Sequence, residues 1–129
     1  MNKPRLKPVI WGGTSYEDLR DLPASVQYKI GTAIQKVQYG SRPATIRTLS
    51  GFGSVSDQEI KVNDDGSTYR AVYTVRFAGY VFVLHTFQKK STRGSETTKQ
   101  DMDIIRDRLR LAETQYEELL AQQRREREQ

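Results

Sequence analysis

Five basic side chains from three predicted strands could together act on a phosphodiester. Lys61 and Arg70 belong to neighbouring strands across one turn, on the more polar side of each, whereas His85, Lys89 and Lys90 come from the next strand and its exit. A ribose 2′-hydroxyl can attack the adjacent phosphate without a metal when one group takes its proton, cations stabilise the phosphorane and another group protonates the leaving oxygen. These five residues are therefore the candidate catalytic set.

Three further cations could bind RNA without taking part in the reaction. Arg76 shares the polar side of its strand with Arg70 and Thr74, which fits a sheet face left open rather than covered by helices. Arg93 belongs to a polar loop, and Lys99 lies at the start of the last predicted helix. Arginine and lysine commonly contact phosphates, but each of these cations is also compatible with an ordinary solvated charge.

The catalytic candidates also have purely structural explanations that the sequence leaves open. Arg70 could pair with Glu59 or Asp57 across the hairpin, as a surface bridge of little energetic weight. His85 alternates with valines, so a hydrogen-bonded core or edge histidine is as compatible with the pattern as a general acid–base. The two lysines after the last strand could protect a sheet edge, and Lys61 could be solvated.

The segment Tyr80–Lys90, YVFVLHTFQKK, predicts the strand that positions this set. Both of its sides are mostly apolar, which is typical of a strand covered on both faces near the middle of a sheet. Strict alternation places His85 and Phe87 on one side, together with Val81 and Val83. The adjacent lysines follow where the strand leaves the core.

Two earlier strands and a turn precede this segment. Gln58–Val62 alternates between apolar and charged residues, Asn63–Ser67 is a strong turn signal, and Tyr69–Phe77 alternates cleanly. The three strands predict an antiparallel meander, which a short N-terminal strand within Lys7–Gly12 is expected to join. The predicted fold class is therefore α+β, an antiparallel sheet combined with helices from both ends of the chain.

Two helices are predicted between the N-terminal strand and the meander. Thr14 and Glu17 form a capping-box pattern that opens a short helix through Leu22, and Pro23 is suited to begin a second helix that ends near Gly40. One apolar stripe of this second helix predicts the face that packs on the sheet. It consists of Val26, Ile30, Ala33, Ile34 and Val37.

One segment before the meander has no clear pattern. Ala44–Ser56, ATIRTLSGFGSVS, combines short apolar stretches with glycines. We expect Leu49 and Phe52 to anchor a loop here, because the glycines permit unusual backbone angles.

The last predicted helix opens at Thr98, with Asp101 in a capping pattern, and carries a heptad seam. The seam consists of Met102, Ile105, Leu109, Ala112, Tyr116 and Leu119. A helix to about Arg127 would be about 45 Å long, which exceeds the roughly 30 Å width of a domain of this size. We therefore expect residues 1–112 to form the domain, and residues 113–129 to extend the helix beyond it, to contact another chain, or to fray.

Composition excludes several kinds of site. The chain has 129 residues, a formal net charge of +5, no cysteine and one histidine, so thiolate chemistry and Cys- or His-rich metal sites are excluded. We expect neither metal nor cofactor. No segment approaches the roughly 20 apolar residues of a membrane span, and the first residues lack the apolar core of a signal peptide. We expect a cytoplasmic protein whose basic excess suits nucleic acid or an acidic partner.

The order of strand, two helices, three antiparallel strands and terminal helix resembles the RelE/ParE superfamily of bacterial toxins. More closely, the chain is similar to the phage-derived Gp49-like, HigB/Tad-type branch. The resemblance is carried by KPVIWGG, EDLRDLP, the Leu49-Ser50-Gly51 loop, QEIKV, YRAVYTVRF and YVFVLHTFQKK, and it extends from about Lys7 to Ala112. It implies a RelE-like sheet with two N-terminal helices packed on it and a long C-terminal helix.

The resemblance also implies a function. Such proteins are type II toxins neutralised by an antitoxin with a helix-turn-helix domain, and the ribonuclease members cut mRNA in the ribosomal A site without a metal, through 2′-hydroxyl attack. By position, their cationic residues correspond to Lys61, Arg70, Lys89 and Lys90. The tyrosine that RelE proteins place near the last helix is absent here, since no tyrosine occurs between Tyr80 and Tyr116, and His85 is the substitute to test.

Two other functions fit the same residues. The ParE side of the superfamily implies a toxin that does not cut RNA and instead inhibits DNA gyrase. Alternatively, the basic face could bind RNA or an acidic protein while the last helix forms an oligomer through its heptad seam.

Overall fold

The computed structural model describes residues 6–43, 46–49, 51–52, 54–89 and 97–129. The chain forms an α+β fold in which one five-stranded sheet is covered on one face by two helices and on the other by a third. The elements in chain order are β1 Val9–Trp11, α1 Ser15–Arg20, α2 Ala24–Gln38, β2 Ile46–Thr48, β3 Asp57–Asp64, β4 Ser67–Thr74, β5 Val81–Gln88 and α3 Lys99–Arg127.

The sheet has the strand order β1-β5-β4-β3-β2 and is mixed rather than purely antiparallel. The predicted meander of β3, β4 and β5 is present, and β5 lies inside the sheet as its apolar sides indicated. The predicted antiparallel pairing is present from β2 to β5, whereas β1 runs parallel to β5. Tight turns set the direction within the meander, whereas β1 and β5 are distant in sequence and no local pattern sets their relative direction.

The β3–β4 hairpin turns through Asp65 and Gly66, both of which have positive φ angles, 48° and 80°. Such angles at both central residues match the twist of the flanking strands. The resulting register places Lys61 directly opposite Arg70. β4 ends at Thr74, so it is shorter at its C-terminal end than the predicted strand Tyr69–Phe77.

A β-bulge in β5 changes which residues face each layer. Val72 of β4 pairs with His85 while the next residue, Tyr73, pairs with Val83, so Leu84 is the extra residue. A bulge exchanges the two sides of a strand beyond it. Strict alternation is therefore wrong here: Val83 packs towards α1 and α2, but Phe87 packs towards α3 on the same side as Leu84.

α2 packs as predicted, with its whole apolar stripe buried against the sheet. The capping box predicted for α1 does not form. Thr14 precedes the helix, but its hydroxyl donates to the carboxylate of Asp18 at 2.7 Å rather than capping a backbone N–H, and α1 ends at Arg20 rather than Leu22. The short first helix is followed at once by the turn into α2, because Pro23 begins a new segment.

The heptad seam of α3 packs on this sheet. Ile105 and Ala112 are buried, and the other seam residues pack around the same core. The helix does not leave the domain at Ala112: the Tyr116 hydroxyl donates to the carbonyl of Ala78 at 3.1 Å, and the amide of Gln123 donates to the Tyr80 hydroxyl at 2.9 Å. The β4–β5 connection extends the surface on which the helix packs. The helix is continuous to Arg127, where we expected fraying.

The segment without a clear pattern contains β2, and it also anchors a loop as predicted. Leu49 is buried and Phe52 is partly buried, both against the core beneath α3. Over the part of the chain that the structure describes, no helix is both long and apolar enough to cross a membrane. The same residues contain no cluster of three or more His, Asp or Glu side chains that could hold a metal ion.

Candidate functional site

Three of the candidate catalytic residues lie together at one end of the sheet. Lys61 of β3 is directly opposite Arg70 of β4, and Arg70 is directly opposite Phe87 of β5. The backbone N–H of Lys89 donates to the carbonyl of Thr68 at 2.8 Å, so Lys89 continues the pairing beyond β5. Because directly opposed residues have Cβ atoms about 5 Å apart, these cations share one patch of the face that also carries α3.

Arg70 is fully buried, with 0% of its surface exposed. Its guanidinium lies 3.5 Å from the carboxylate of Glu59 and donates to the hydroxyl of Thr97 at 3.0 Å. Burial lowers the pKa of Arg70, against the attraction of Glu59. The prediction of an open sheet face is therefore wrong at Arg70 and at Thr74, because α3 and Thr97, which lies just before it, cover this side of β4.

Glu59 is a buried carboxylate between two guanidinium groups. It is 1% exposed, and it accepts from Arg47 Nε at 2.5 Å as well as lying beside Arg70. Arg47 was missed in the sequence because it belongs to the segment without a clear pattern. One sequence signal was present, because apolar Ile46 is followed by charged Arg47, as in a short strand whose residues alternate between faces. In the structure Ile46 is buried and Arg47 is exposed. Glu59 thereby holds the guanidinium groups of Arg47 and Arg70 close together on this face of the sheet.

Lys89 lies among like charges. Desolvation lowers its pKa, and Arg70, Lys61 and Arg47 lower it further, while Glu59 has the opposite effect. We call Arg47, Lys61, Arg70 and Lys89 the cation site. The four cations of this site carry more positive charge than the Glu59 carboxylate neutralises. An anion placed beside Lys61 and Lys89 would therefore relieve repulsion between neighbouring cations.

His85 lies on the same sheet face but inside the core, with 6% of its surface exposed. Its Nε2 is 2.8 Å from Asp101, its Nδ1 is 3.4 Å from the guanidinium of Arg108, and its ring stacks on Phe87 with centroids 4.5 Å apart. Burial lowers its pKa, which Asp101 raises and Arg108 lowers. The structure therefore places His85 next to the cation site, in contact with α3.

Arg76 lies away from the cation site, six residues beyond Arg70 and about 20 Å along an extended chain. Its guanidinium forms two hydrogen bonds with the buried carboxylate of Asp57 and donates to the carbonyl of Phe52 at 3.1 Å. The hydrogen bonds to Asp57 raise the pKa of Arg76. The side chain holds the loop before β3 against the end of β4.

The remaining candidates are not part of the cluster that the structure describes. Lys99 is 90% exposed and forms an ion pair with Asp103 one turn further along α3, at 3.1 Å. Lys90 and Arg93 lie outside the described residues.

Replacing Arg76 with alanine is expected to reduce stability rather than cleavage. Asp57 is buried and would lose its guanidinium partner, so we expect the free energy of unfolding to fall by about 2 kcal/mol. Urea denaturation of the purified variant measures this change. The RNA-binding hypothesis for Arg76 would instead require weaker RNA binding by correctly folded protein.

Comparison with known proteins gives one family match. Residues 17–110 match the family described as phage-derived protein Gp49-like (DUF891). Among solved structures, the chain is similar to the crystal structure of the isolated E. coli RelE toxin in its P21 form, with 18% identity, 78% of this chain and 97% of that chain covered, and a TM-score of 0.48. A search of the curated proteins gives no significant match.

Proposed function

The chain belongs to the phage-derived Gp49-like family (DUF891), part of the RelE/ParE-like toxin group, and from this premise we propose that it is the toxin of a type II toxin–antitoxin pair. We further propose that it acts as a metal-independent endoribonuclease on mRNA in the ribosomal A site. The observation that supports this activity is the cation site, in which three positive side chains lie on strands of one sheet and the fourth, Lys89, directly follows β5.

The proposed reaction uses electrostatic stabilisation rather than a cofactor. Lys61 and Lys89 hold the scissile phosphate from the solvent side, while Arg70 supplies positive charge from beneath. Attack by the 2′-hydroxyl, whose proton passes to water, forms a bond to phosphorus and breaks the bond to the 5′-oxygen; the 5′-oxygen takes up a proton, which leaves a 2′,3′-cyclic phosphate and a 5′-hydroxyl. Preorganised cations are most effective where negative charge develops, on the phosphorane oxygens.

Lys89 is our candidate for the group that protonates the leaving oxygen. Its pKa is lowered by desolvation and by Arg70, Lys61 and Arg47. An ammonium group with a lowered pKa gives up its proton more readily near neutral pH than an ordinary lysine. Lys90 follows it directly in the chain and remains a candidate for the same phosphate.

The partners follow from the same proposal. In the cytoplasm, an antitoxin with a helix-turn-helix domain would neutralise the protein by direct binding. We expect it to present acidic or apolar residues to the cation site, because a surface of surplus positive charge favours acidic partners. Copurification of this chain with the product of the neighbouring gene would test this part of the proposal.

A cleavage assay with programmed ribosomes tests the activity. Purified protein is incubated with ribosome-bound mRNA in the presence of EDTA, and the RNA ends are mapped. We expect cuts in the A-site codon that carry 5′-hydroxyl and 2′,3′-cyclic phosphate ends. Intact mRNA would contradict the nuclease proposal. If growth arrest then coincided with inhibited DNA gyrase, the ParE-like function would replace it, and absence of toxicity would favour a binding module.

A further inference from the structure

One side chain of α3 connects the bulge in β5 with the turn before α1. Arg108 donates to the carbonyl of Leu84, the extra residue of the bulge, at 2.9 Å and to the hydroxyl of Thr14 at 3.0 Å. Its guanidinium also lies directly over Gly13, where an added Cβ would come within 2.4 Å of Nε. Glycine at this position therefore allows the guanidinium to reach the bulge.

The bulge places His85 between two charged groups of α3. Nε2 lies 2.8 Å from the carboxylate of Asp101, and Nδ1 lies 3.4 Å from the guanidinium of Arg108. This arrangement fits the neutral ring with its proton on Nε2, because the carboxylate accepts a hydrogen bond from Nε2–H and the lone pair on Nδ1 faces a donor. Both ring nitrogens are thus directed at protein groups rather than at the RNA side of the cation site.

Asp101 connects His85 with Thr98, the residue that caps the start of α3. Its other carboxylate oxygen accepts from the hydroxyl of Thr98 at 2.8 Å, and its backbone N–H donates to the same hydroxyl, which caps the helix. The preceding residue, Thr97, accepts a hydrogen bond from Arg70 at 3.0 Å. A continuous set of contacts therefore links His85 of β5, through the first turn of α3, to Arg70 of β4.

We propose that His85, Asp101 and Arg108 position the first turn of α3 so that Thr97 holds the Arg70 guanidinium in its place within the cation site. His85 is then a positioning residue and not a proton-transfer group. The inference rests on the proposed function and assigns a role within it. It explains why His85 lies next to the cation site although its ring is buried.

Two variants of His85 separate positioning from proton transfer. Glutamine keeps an N–H donor near the position of Nε2 but cannot act as a general acid–base near neutral pH, whereas alanine removes the donor. We expect His85→Gln to retain cleavage within about threefold, with an unchanged pH profile of kcat, and His85→Ala to lose about tenfold to 100-fold, mainly in kcat. If His85→Gln were as inactive as His85→Ala while remaining folded, the positioning proposal would be overturned.

A double variant tests the route through Asp101. If the two side chains act as one unit, His85→Ala combined with Asp101→Ala loses no more activity than His85→Ala alone. Losses that multiply would contradict the proposed link. Asp107→Ala is the matched control, since Asp107 is an exposed carboxylate of the same helix that pairs with Arg110; it should leave cleavage unchanged.

Hydrogen exchange provides a readout that does not depend on cleavage. The backbone amides of the first turns of α3 should exchange at least about tenfold faster in His85→Ala than in the parent protein or in His85→Gln, because local opening limits exchange there. Unchanged exchange in His85→Ala would contradict the positioning role. If the parent protein cleaved no RNA but showed this exchange pattern, the proposed function would fail while the structural link survived.

The same contacts predict a pH dependence of stability. The charged groups acting on His85 are Asp101 and Arg108 of α3 and Asp18 of α1. Its pKa is lowered below the ordinary histidine value of about 6.5, so the unfolded chain takes up a proton before the folded protein does. The stabilisation is complete above pH about 6.5 and is lost as pH falls towards the lowered pKa. The urea midpoint of the parent protein should therefore fall more than that of His85→Gln between pH 7.5 and 5.5, and parallel midpoints would contradict the neutral ring.

Discussion

Replacing Lys61 and Lys89 together with alanine is expected to reduce the rate of RNA cleavage by about 10³-fold, since removing one preorganised donor from an oxyanion site costs about 10²–10³. Both ammonium groups lie on the side of the cation site that RNA can reach, Lys61 exposed and Lys89 half-buried. Their loss would leave Arg70 buried beneath a phosphate that neither Lys61 nor Lys89 holds. Single-turnover cleavage of ribosome-bound mRNA measures the effect.

A control with the same change in net charge distinguishes a local effect from general attraction to RNA. Arg124→Ala with Arg127→Ala also removes two exposed cations, both in the last turn of α3, at the end of the helix opposite to Thr97 and the cation site. We expect this control to change cleavage by less than about tenfold at physiological salt, because surface charges distant from the phosphate act mainly on association and are screened. Equal losses in the two double variants would show that the cation site has no special role. Undiminished cleavage without Lys61 and Lys89 would place the reaction elsewhere.

Replacing Arg70 with methionine is expected to lower the free energy of unfolding by about 3 kcal/mol, because removing one partner of a buried ion pair leaves the other charge poorly compensated. Arg70 and Glu59 are both essentially inaccessible to solvent. Arg47 would still contact Glu59, but its own side chain is half exposed. The loss of the hydrogen bond to Thr97 adds to the effect. Urea denaturation of the purified proteins, extrapolated to water, gives the value.

A second substitution tests whether the buried carboxylate is the cause. Glu59→Gln in the Arg70→Met background removes the uncompensated charge, so the double variant should be more stable than Arg70→Met alone. Equal or lower stability would show that the cost of losing Arg70 comes from packing. The double variant should still fail to cleave RNA, because it lacks the guanidinium beneath the phosphate.

The meander could be predicted because its signals are local. The alternation in β3 and β4 and the turn residues between them set both strands and their pairing, which placed Lys61 opposite Arg70. The apolar stripe of α2 and the seam of α3 likewise follow from spacing alone. Arg47 was missed because β2 has only three residues, too few to establish an alternating pattern.

The side of the sheet that His85 faces could not be predicted from alternation. The bulge at Leu84 is recognisable only once β4 and β5 are paired, and it exchanges the sides of every later residue in the strand. That exchange brings His85 to Asp101 and Arg108, which are distant in the sequence. The choice between a core histidine and a general acid–base therefore depended on contacts between elements.

Local patterns were enough to predict the class of fold, the order of its elements apart from β2, the resemblance to a toxin family and the cations that one hairpin and the following strand bring together. The packing of distant segments was needed to show that Arg70 is buried, that Glu59 and Arg47 accompany it, that Arg76 holds a loop, and that α3 lies along the sheet as far as Gln123. The reason is physical: period and turn chemistry are properties of neighbouring residues, whereas burial and charge pairing depend on which distant segments pack together.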